Sequence, residues 1–383
     1  MNLSNPQRLP TIRNNSHPTG EKSLEYPNKT QRKSIGRTAL LTSCSWVVLQ
    51  GCGGCYVTKS AWFQSELLLS REPTERLVSS GALSNEQAEK IALIEDAKTF
   101  GGAIGLLATE NYETIAWDWG RTMWNVSASD PLRFSNVTWW FPIVGRVPYL
   151  GYFRSEDAER EAQDLRDQGL DVYVRTVGAY STLGWFKDPI LPGMLQWRDD
   201  QLVETVLHEM AHATLWVAGS VDFNESFASF VGEKAMYQWL IDRHGLESDV
   251  TRLVNMRRQD SNTWRDLLAG LYMDLDRIFS SPTLTDEEKL EMKAQLISSL
   301  PNRVRAANLS NADPYIELAE QETWNNARLA QFRTYNSNSS EFEALFLLNN
   351  SNISAFIEHV QQITTDAPEP FEAIAEAINV QNF

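Results

Sequence analysis

The segment His208-Glu209-Met210-Ala211-His212 constrains the fold and the chemistry of this chain more than any other. On an α-helix, residues four apart lie on the same face about one turn apart, so the two histidines present their imidazoles to one metal ion. Glu209 is rotated by about 100° from His208 and therefore flanks the metal instead of binding it. The segment thus predicts a helix that carries a metal with a carboxylate beside it. An ordinary helix with exposed histidines is the alternative interpretation.

A third metal ligand is predicted on the helix that follows. A catalytic zinc takes three protein ligands and keeps one open position, and Glu225 lies after a short turn, near the start of a new helix. Ala228, Ser229 and Gly232 share its helical stripe, and small side chains there let two helices approach closely. We therefore expect one Zn²⁺ per chain, bound by the two histidines and Glu225. The alternative interpretation is that Glu225 binds no metal and, as a carboxylate near the start of a helix, only interacts favourably with the helix dipole.

The carboxylate beside the metal predicts hydrolytic chemistry. Glu209 would take a proton from a zinc-bound water and deliver it to a leaving amine, which indicates a zinc-dependent peptide hydrolase. The tetrahedral oxyanion needs a further donor, for which Tyr335 and Tyr180 are the candidates, although each is otherwise a packed residue. Glu204 and Ser229 are candidates for hydrogen bonds that orient the two histidines.

Two further segments carry open interpretations. Residues 180–185 precede the metal helix, and we hypothesise that they line the substrate cleft; a core-packed loop is the equal alternative. Arg328 would either orient a substrate carboxylate or form an ion pair on a helix surface, and the second interpretation is favoured.

The charge and the cysteines of the chain exclude several classes of partner and site. The net charge is −16, and the acidic excess lies past residue 40, so we expect no nucleic-acid partner, because phosphate binding needs a positive face. Cys44, Cys52 and Cys55 all lie near the N-terminus, so the body of the chain contains neither a disulfide nor a cysteine zinc site. The Cys52–Cys55 spacing lacks the strand–helix context of a redox motif.

The N-terminus is patterned like a bacterial lipoprotein signal. A basic stretch at 32–37 precedes a mostly apolar run at 38–49, which is too short to span a bilayer. The run ends in Leu49-Gln50-Gly51-Cys52, which resembles a lipobox. The pattern predicts a leader at 1–51, lipidation of Cys52 and a protein anchored in the bacterial cell envelope, facing the periplasm. A short buried helix or strand is the alternative.

The rest of the chain predicts an α+β fold that is predominantly helical, with a small sheet preceding the metal helix. Residues 52–383 are expected to form one domain, with a sheet-containing part at about 110–198 and a helical part at about 199–383. The metal helix is expected to run from Asp199 to the Ala218-Gly219-Ser220 segment. Strands are predicted at 138–141, 149–153 and 171–177, and further helices at 57–70, 84–107, 155–168, 248–281, 283–299, 313–334, 340–348, 352–363 and 367–379.

The segment from Phe223 to Val231, with its Asn-Glu-x-x-Ala core, resembles the third-ligand helix of gluzincin aminopeptidases. From about residue 52 to 365 the chain resembles the bacterial putative aminopeptidase family of zinc lipoproteins. The resemblance implies a zincin-like metallopeptidase domain in which His208, His212 and Glu225 bind zinc and Glu209 is the general base. The matching segments are Gly151–Phe153, Gly169–Val174, Ala179–Pro189, the metal motif, Asn325–Leu329 with Tyr335, and the lipobox followed by Tyr56.

The chain departs from the large aminopeptidases in two respects. Only twelve residues separate His212 from Glu225, fewer than in those enzymes. The chain also lacks the G-x-M-E-N segment with which those enzymes hold the free amine of a substrate. A peptide substrate and an aminopeptidase activity are therefore expected from the family resemblance. The alternatives are an inactive membrane lipoprotein that serves as a binding or assembly module, and a zinc hydrolase that acts on other substrates. The presence of Glu209 favours catalysis, because a binding module has no need of a general base.

Overall fold

The computed structural model describes residues 66–67, 69–116, 123–141, 145–177, 187–321, 323–334, 339–365 and 367–381. Its architecture is α+β and mostly helical, as the sequence predicts. The strands are β1 (Glu72–Pro73), β2 (Thr114–Ile115), β3 (Met123–Ser129), β4 (Trp139–Phe141), β5 (Gly145–Val147), β6 (Leu150–Tyr152) and β7 (Asp171–Val177). The helices are α1 (Thr74–Ser79), α2 (Asn85–Ala103), α3 (Ser155–Asp167), α4 (Asp199–Thr214), α5 (Val221–His244), α6 (Asp249–Phe279), α7 (Asp286–Ser298), α8 (Leu300–Ala306), α9 (Asp313–Gln321), α10 (Asn326–Thr334), α11 (Ser339–Leu348), α12 (Ile353–Thr364) and α13 (Pro370–Gln381), with a 3₁₀ helix at Pro192–Gln196.

The largest described sheet has three antiparallel strands in the order β6-β3-β7. The central strand β3 pairs with β7 along its whole length, from Met123 opposite Val177 to Ser129 opposite Asp171. Successive strand residues face opposite sides. One side, which includes Val172, packs against helix α3. The other side carries Tyr173 and Arg175 toward the helical part of the domain.

The metal helix α4 is enclosed by α2 on one side and α5 on the other. Helix α2 starts at a capping box, in which Ser84 and Gln87 exchange side-chain and backbone hydrogen bonds. A Cβ on Gly101 of α2 would lie 2.7 Å from the end of the Met210 side chain, so the two helices pack closely at this glycine. The main core therefore surrounds the helix that carries the metal motif.

The remaining helices form two groups. Phe223, Phe227 and Phe230 on α5 pack against Phe342 on α11 and Phe356 on α12, which completes the core around the metal helices. A second cluster joins the C-terminal half of α6 to helices α7 to α10. Among the described helices, none is both long and apolar enough to span a bilayer.

Several predicted boundaries were wrong. Helix α4 ends at Thr214, because Leu215 adopts an extended conformation, and Gly219 lies in the following loop with φ +84°. Helix α3, by contrast, begins at Ser155 as predicted and ends at Asp167, one residue before the predicted end. The predicted helix at 313–334 is two helices, interrupted where Trp324 packs its buried ring against Trp264.

Candidate metal centre

Helix α4 forms because its charges and its apolar stripe favour it together. Asp199 and Asp200 lie in the first turn, where negative charge complements the helix dipole. The apolar residues repeat at helical spacing and are buried: Leu202, Val203, Val206, Leu207, Met210 and Ala211. His208 and His212 lie at the edge of this buried face. Their rings contact each other edge to face, with centroids 4.6 Å apart.

Helix α5 brings the third side chain to the pair. Asn224 is fully buried, and its side-chain amide accepts a hydrogen bond from the Val217 N–H and donates one to the Val217 carbonyl, each at 2.8 Å. The α4–α5 loop is thereby attached to the helix position that immediately precedes Glu225. The Asn-Glu pair of the sequence thus has a double purpose: the amide holds the loop, and the carboxylate turns toward the histidines.

The three side chains converge as the sequence predicts. The Nε2 atoms of His208 and His212 are 3.0 Å apart, and each lies 3.7 Å from an oxygen of Glu225. All three ligand atoms fall within 4.8 Å of one another. Ligands about 2.0–2.2 Å from a tetrahedral zinc are about 3.4 Å apart, and two imidazoles with one carboxylate form a usual donor set for catalytic zinc. The side chains therefore fit Zn²⁺.

The two metal helices meet at a glycine. A Cβ on Gly232 would lie 3.0 Å from the backbone oxygen of Glu204, 3.1 Å from the Cβ of His208 and 3.2 Å from its backbone nitrogen. A flexible side chain could rotate away from such a contact, but backbone atoms can move only if the whole helix moves. The small-residue stripe predicted on α5 is thus confirmed at Gly232, where it sets the distance between His208 and Glu225.

We expect Gly232→Ala to lower both the stability and the zinc affinity. The added methyl group forces the helices apart by a few tenths of an ångström, at a cost of about 1–3 kcal/mol, which exceeds the gain of about 0.5–1 kcal/mol from a better helix former. The measurement is urea unfolding together with zinc titration. Gly270→Ala is the matched control, because a Cβ there meets no atom within 4 Å and the substitution should stabilise α6. Equal effects of the two substitutions would contradict the close approach.

Burial and mutual contact set the protonation of the three side chains. Burial lowers the pKa of His208 to about 3, helped by His212, so its imidazole is neutral and its lone pair is available. Burial opposes ionisation of Glu225, but its attraction to His212, whose Nε2 lies 3.7 Å from a carboxylate oxygen, outweighs burial and lowers the pKa of the carboxyl; His208 and Arg175 contribute further. Burial likewise opposes the charge on His212, but the neighbouring carboxylate of Glu225 raises its pKa, and the carboxylate of Glu209 contributes further. Zinc binds a neutral imidazole and an ionised carboxylate, so the shifts of His208 and Glu225 favour the binding forms, whereas His212 would release its proton when the metal binds.

The outer surroundings of the ligands differ from the expectation. No hydrogen bond joins Glu204 or Ser229 to either histidine, and His212 Nδ1 has no hydrogen-bond partner among the described residues. The ring of Trp216 lies beside that of His212, with centroids 5.6 Å apart. The Trp216 side chain is 40% exposed, so it forms an apolar wall next to the ligand set.

Glu204 belongs to a cluster of charges behind the metal helix. Its neighbour Glu233 forms ion pairs with Arg258 and Arg265. Burial and, to a smaller extent, the nearby carboxylates of Glu233 and Asp200 raise the pKa of Glu204 to about 7, against the opposing effect of the two arginines.

Stability is expected to fall as the pH rises through the range in which Glu204 ionises. Between its ordinary pKa of 4.5 and about 7 the folded chain binds a proton that the unfolded chain has lost, so ionisation costs at most about 3 kcal/mol of folding free energy above pH 7. Glu204→Gln removes this loss. Urea unfolding at pH 5 and pH 8 should show that the variant gains stability over the wild type only at pH 8. A difference that does not change with pH would contradict the expectation.

Several sequence candidates lie outside the described residues: Tyr335, the segment 180–185 and Cys52. Their predicted roles stay predictions. Arg328 is buried and stacks between Trp324, 4.0 Å from the ring centroid, and Tyr173, at 5.0 Å. Arg328 is therefore not on a helix surface, and the favoured interpretation of an ion pair there was wrong.

The residues before Arg328 attach helix α10 to the sheet. The Asn325 side chain donates to the Val172 carbonyl at 2.8 Å, and the Asn326 N–H donates to an Asp171 carboxylate oxygen at 2.8 Å. The segment Asn325–Leu329, which is part of the family resemblance, therefore holds helix α10 against strand β7.

Two residues near the site were missed by the sequence reasoning. Arg175 on β7 contributes to the low pKa of Glu225, and strand alternation on β7 is the signal that places it on the helix-facing side. Tyr112 is buried close to Glu209, whose charge acts on its hydroxyl. Nothing in the local pattern around Tyr112 indicates this, because the contact is long-range.

Comparison with known proteins agrees with this geometry. No curated protein and no solved structure matches the chain significantly. The profile of the family described as "Putative aminopeptidase" matches residues 55–373, which include the complete ligand set, the loop clamp at Asn224 and the segment that docks on the sheet. The chain therefore belongs to the putative aminopeptidase family.

Proposed function

We propose that the protein is a zinc-dependent peptidase of the zincin type, and that it acts as an aminopeptidase. The observation that supports this most is the convergence of His208, His212 and Glu225 on one point, with Glu209 next in sequence on the same helix. The family description supports the exopeptidase assignment.

The ligand set defines what a bound metal contributes. Zinc held there would polarise the scissile carbonyl and acidify the attacking water. The protein itself supplies the positions of the ligands. Gly232 and Asn224 fix the separation and the rotation of the two helices, so the ligands are positioned before substrate arrives.

Glu209 is the proposed general base. It takes a proton from the attacking water and later delivers that proton to the leaving amine, so one carboxylate serves both halves of the reaction. Its place on the helix, rotated from His208, puts it beside the ligands and leaves the metal to the two imidazoles and Glu225.

The apolar wall at Trp216 favours an uncharged side chain next to the scissile bond. The indole is exposed, and its backbone neighbour Val217 is held by both Asn224 hydrogen bonds, so the wall is rigid relative to the ligands. Burial of apolar substrate surface against it contributes about 25 cal/mol per Å².

The experiment is to purify the full chain, measure bound metal by mass spectrometry and analyse the products of a mixed peptide library. About one zinc per chain and products shortened by one N-terminal residue would support the proposal. Activity that survives removal of zinc by a chelator would contradict the metal mechanism. Internal cleavage would contradict the aminopeptidase assignment and leave the metal chemistry standing.

We further propose that Cys52 carries a lipid that anchors the protein to a membrane of the bacterial envelope, facing the periplasm. The lipobox-like segment before it supports this. Incorporation of labelled palmitate should be lost in Cys52→Ala and kept in Cys55→Ala. Equal labelling of both variants would contradict the anchor.

A further inference from the structure

A small hairpin beside the main sheet presents an exposed tryptophan. Strands β4 and β5 form a separate two-stranded sheet, in which Trp140 lies directly opposite Arg146. The Trp140 side chain is 64% exposed, which is more than any other tryptophan of the described residues. Tryptophan is highly buried on average, so its exposure distinguishes this hairpin from the rest of the described surface.

The packing of the neighbouring side chains decides the direction in which Trp140 points. Val137 and Trp139 pack against the apolar cluster between the main sheet and helix α3. Successive strand residues face opposite sides, so Trp140 points away from this cluster, together with the exposed Thr138. Residues directly opposite each other in an antiparallel pair share a face, so Arg146 lies on the same side. We name these three exposed side chains, Thr138, Trp140 and Arg146, the hairpin face.

The charge of the hairpin face is opposite to that of the chain. Residues 131–154 contain three arginines and neither aspartate nor glutamate, whereas the whole chain has a net charge of −16. The two arginines at the ends of this stretch form ion pairs with flanking carboxylates. Arg146, between them, donates to the Thr138 hydroxyl at 3.4 Å and pairs with no carboxylate of the described residues. Its exposed guanidinium is therefore available to an anion outside the chain.

An exposed indole beside an unpaired guanidinium fits the surface of an anionic bilayer. Tryptophan prefers the headgroup level of a membrane, because its ring is apolar while its N–H needs a polar partner. A guanidinium binds phosphate through two parallel hydrogen bonds. Nucleic acids also offer phosphate, but they are held by several cations at once, whereas this face has one. Repulsion between the acidic body and the lipid is screened beyond about 8 Å at physiological ionic strength.

We propose that the hairpin face docks on an anionic phospholipid surface, with the Trp140 ring at the headgroup level and the Arg146 guanidinium on a lipid phosphate. This contact is separate from the proposed peptidase activity and does not depend on it. Val137 and Trp139 attach the hairpin to the α3 side of the sheet, whereas Arg175 lies on the side that faces the helices. Docking through the hairpin therefore leaves the side with the metal centre uncovered.

The test is hydrogen exchange measured by mass spectrometry on peptides that cover residues 138–147, in the full chain with Cys52→Ala. This substitution removes the proposed lipid, and the readout is local because the basic stretch at 32–37 would bind the same vesicles. Vesicles of phosphatidylglycerol and phosphatidylcholine, at about ten times the lipid concentration that gives half the effect, should slow hairpin exchange about tenfold. Vesicles of phosphatidylcholine alone should leave it unchanged. No slowing on the anionic vesicles, or equal slowing on both kinds, would overturn the proposal.

Substitutions of the two principal side chains test their separate contributions. Arg146→Ala should raise the lipid concentration that gives half the effect about fivefold, which corresponds to about 1 kcal/mol per arginine near an anionic surface. Trp140→Ala should raise it about tenfold, because a large apolar side chain is lost. Arg277→Ala and Met273→Ala on α6 are the matched controls, since both side chains are similarly exposed. Control substitutions that shift the lipid concentration as much would contradict the assigned face.

Other occupants of the hairpin face give different results. Slowing that increases with protein concentration in the absence of vesicles would assign the face to a second copy of the chain. Slowing by soluble polyglutamate or DNA, without slowing by vesicles, would assign it to an acidic protein or a nucleic acid. Either result would overturn the lipid proposal. Urea unfolding should be the same in all four variants, because substitutions of exposed side chains have small effects on stability.

Discussion

Glu209→Gln is expected to lower kcat for peptide cleavage by about 10²–10⁴-fold, the usual contribution of a general acid–base group. Glutamine keeps the size of the side chain but cannot accept the proton of the attacking water. Zinc content and stability should stay close to those of the wild type, because Glu209 is not one of the converging ligands. The measurement is kcat on a single fluorogenic peptide, with zinc quantified in the same samples.

The control is Glu291→Gln on the exposed surface of α7, distant from the metal helices, which should retain full activity. Activity of Glu209→Gln within about tenfold of the wild type would remove Glu209 from the mechanism. Loss of zinc from the variant would instead show that Glu209 helps to hold the metal.

Glu225→Ala is expected to lower zinc affinity by more than about a hundredfold, because loss of an outer partner of a ligand already costs about 10–100-fold. The two remaining ligands come from a single helix and leave one side of the metal open. Activity at low zinc should fall in proportion. A competition titration with a chromophoric chelator measures the affinity directly.

Asp222→Ala is the matched control for this substitution. Asp222 lies in the first turn of the same helix, so both variants lose a carboxylate near its positive end. Both should lose a few tenths to about 1 kcal/mol of stability, but only Glu225→Ala should lose zinc. If the two variants bind zinc equally well, Glu225 is not a zinc ligand and interacts only with the helix dipole.

The metal ligands could be predicted from the sequence because their arrangement is local. His208 and His212 depend only on helix periodicity, and Glu225 follows after one short loop. The same holds for strand β7, whose predicted bounds are confirmed. Each depends on neighbours within a few positions along the chain.

Features that depend on distant contacts were not predictable in this way. The buried Tyr112 hydroxyl comes under the charge of Glu209 only through tertiary packing, and its left-handed backbone leaves no mark in the sequence pattern. Arg328 seemed to suit a helix surface, but Trp324 and Tyr173 enclose it from separate elements. The break in the predicted helix at 313–334 has the same origin, since burial of the Trp324 ring overrides local helix propensity.

The Asn224 clamp has a consequence for how the protein folds. Because the clamp, the loop and all the ligands belong to one helical hairpin, closing them needs little loop entropy, and contacts of short sequence separation form early. Helix α10, by contrast, binds to strand β7 from far along the chain. We therefore expect the ligand set to form before helix α10 docks on the sheet.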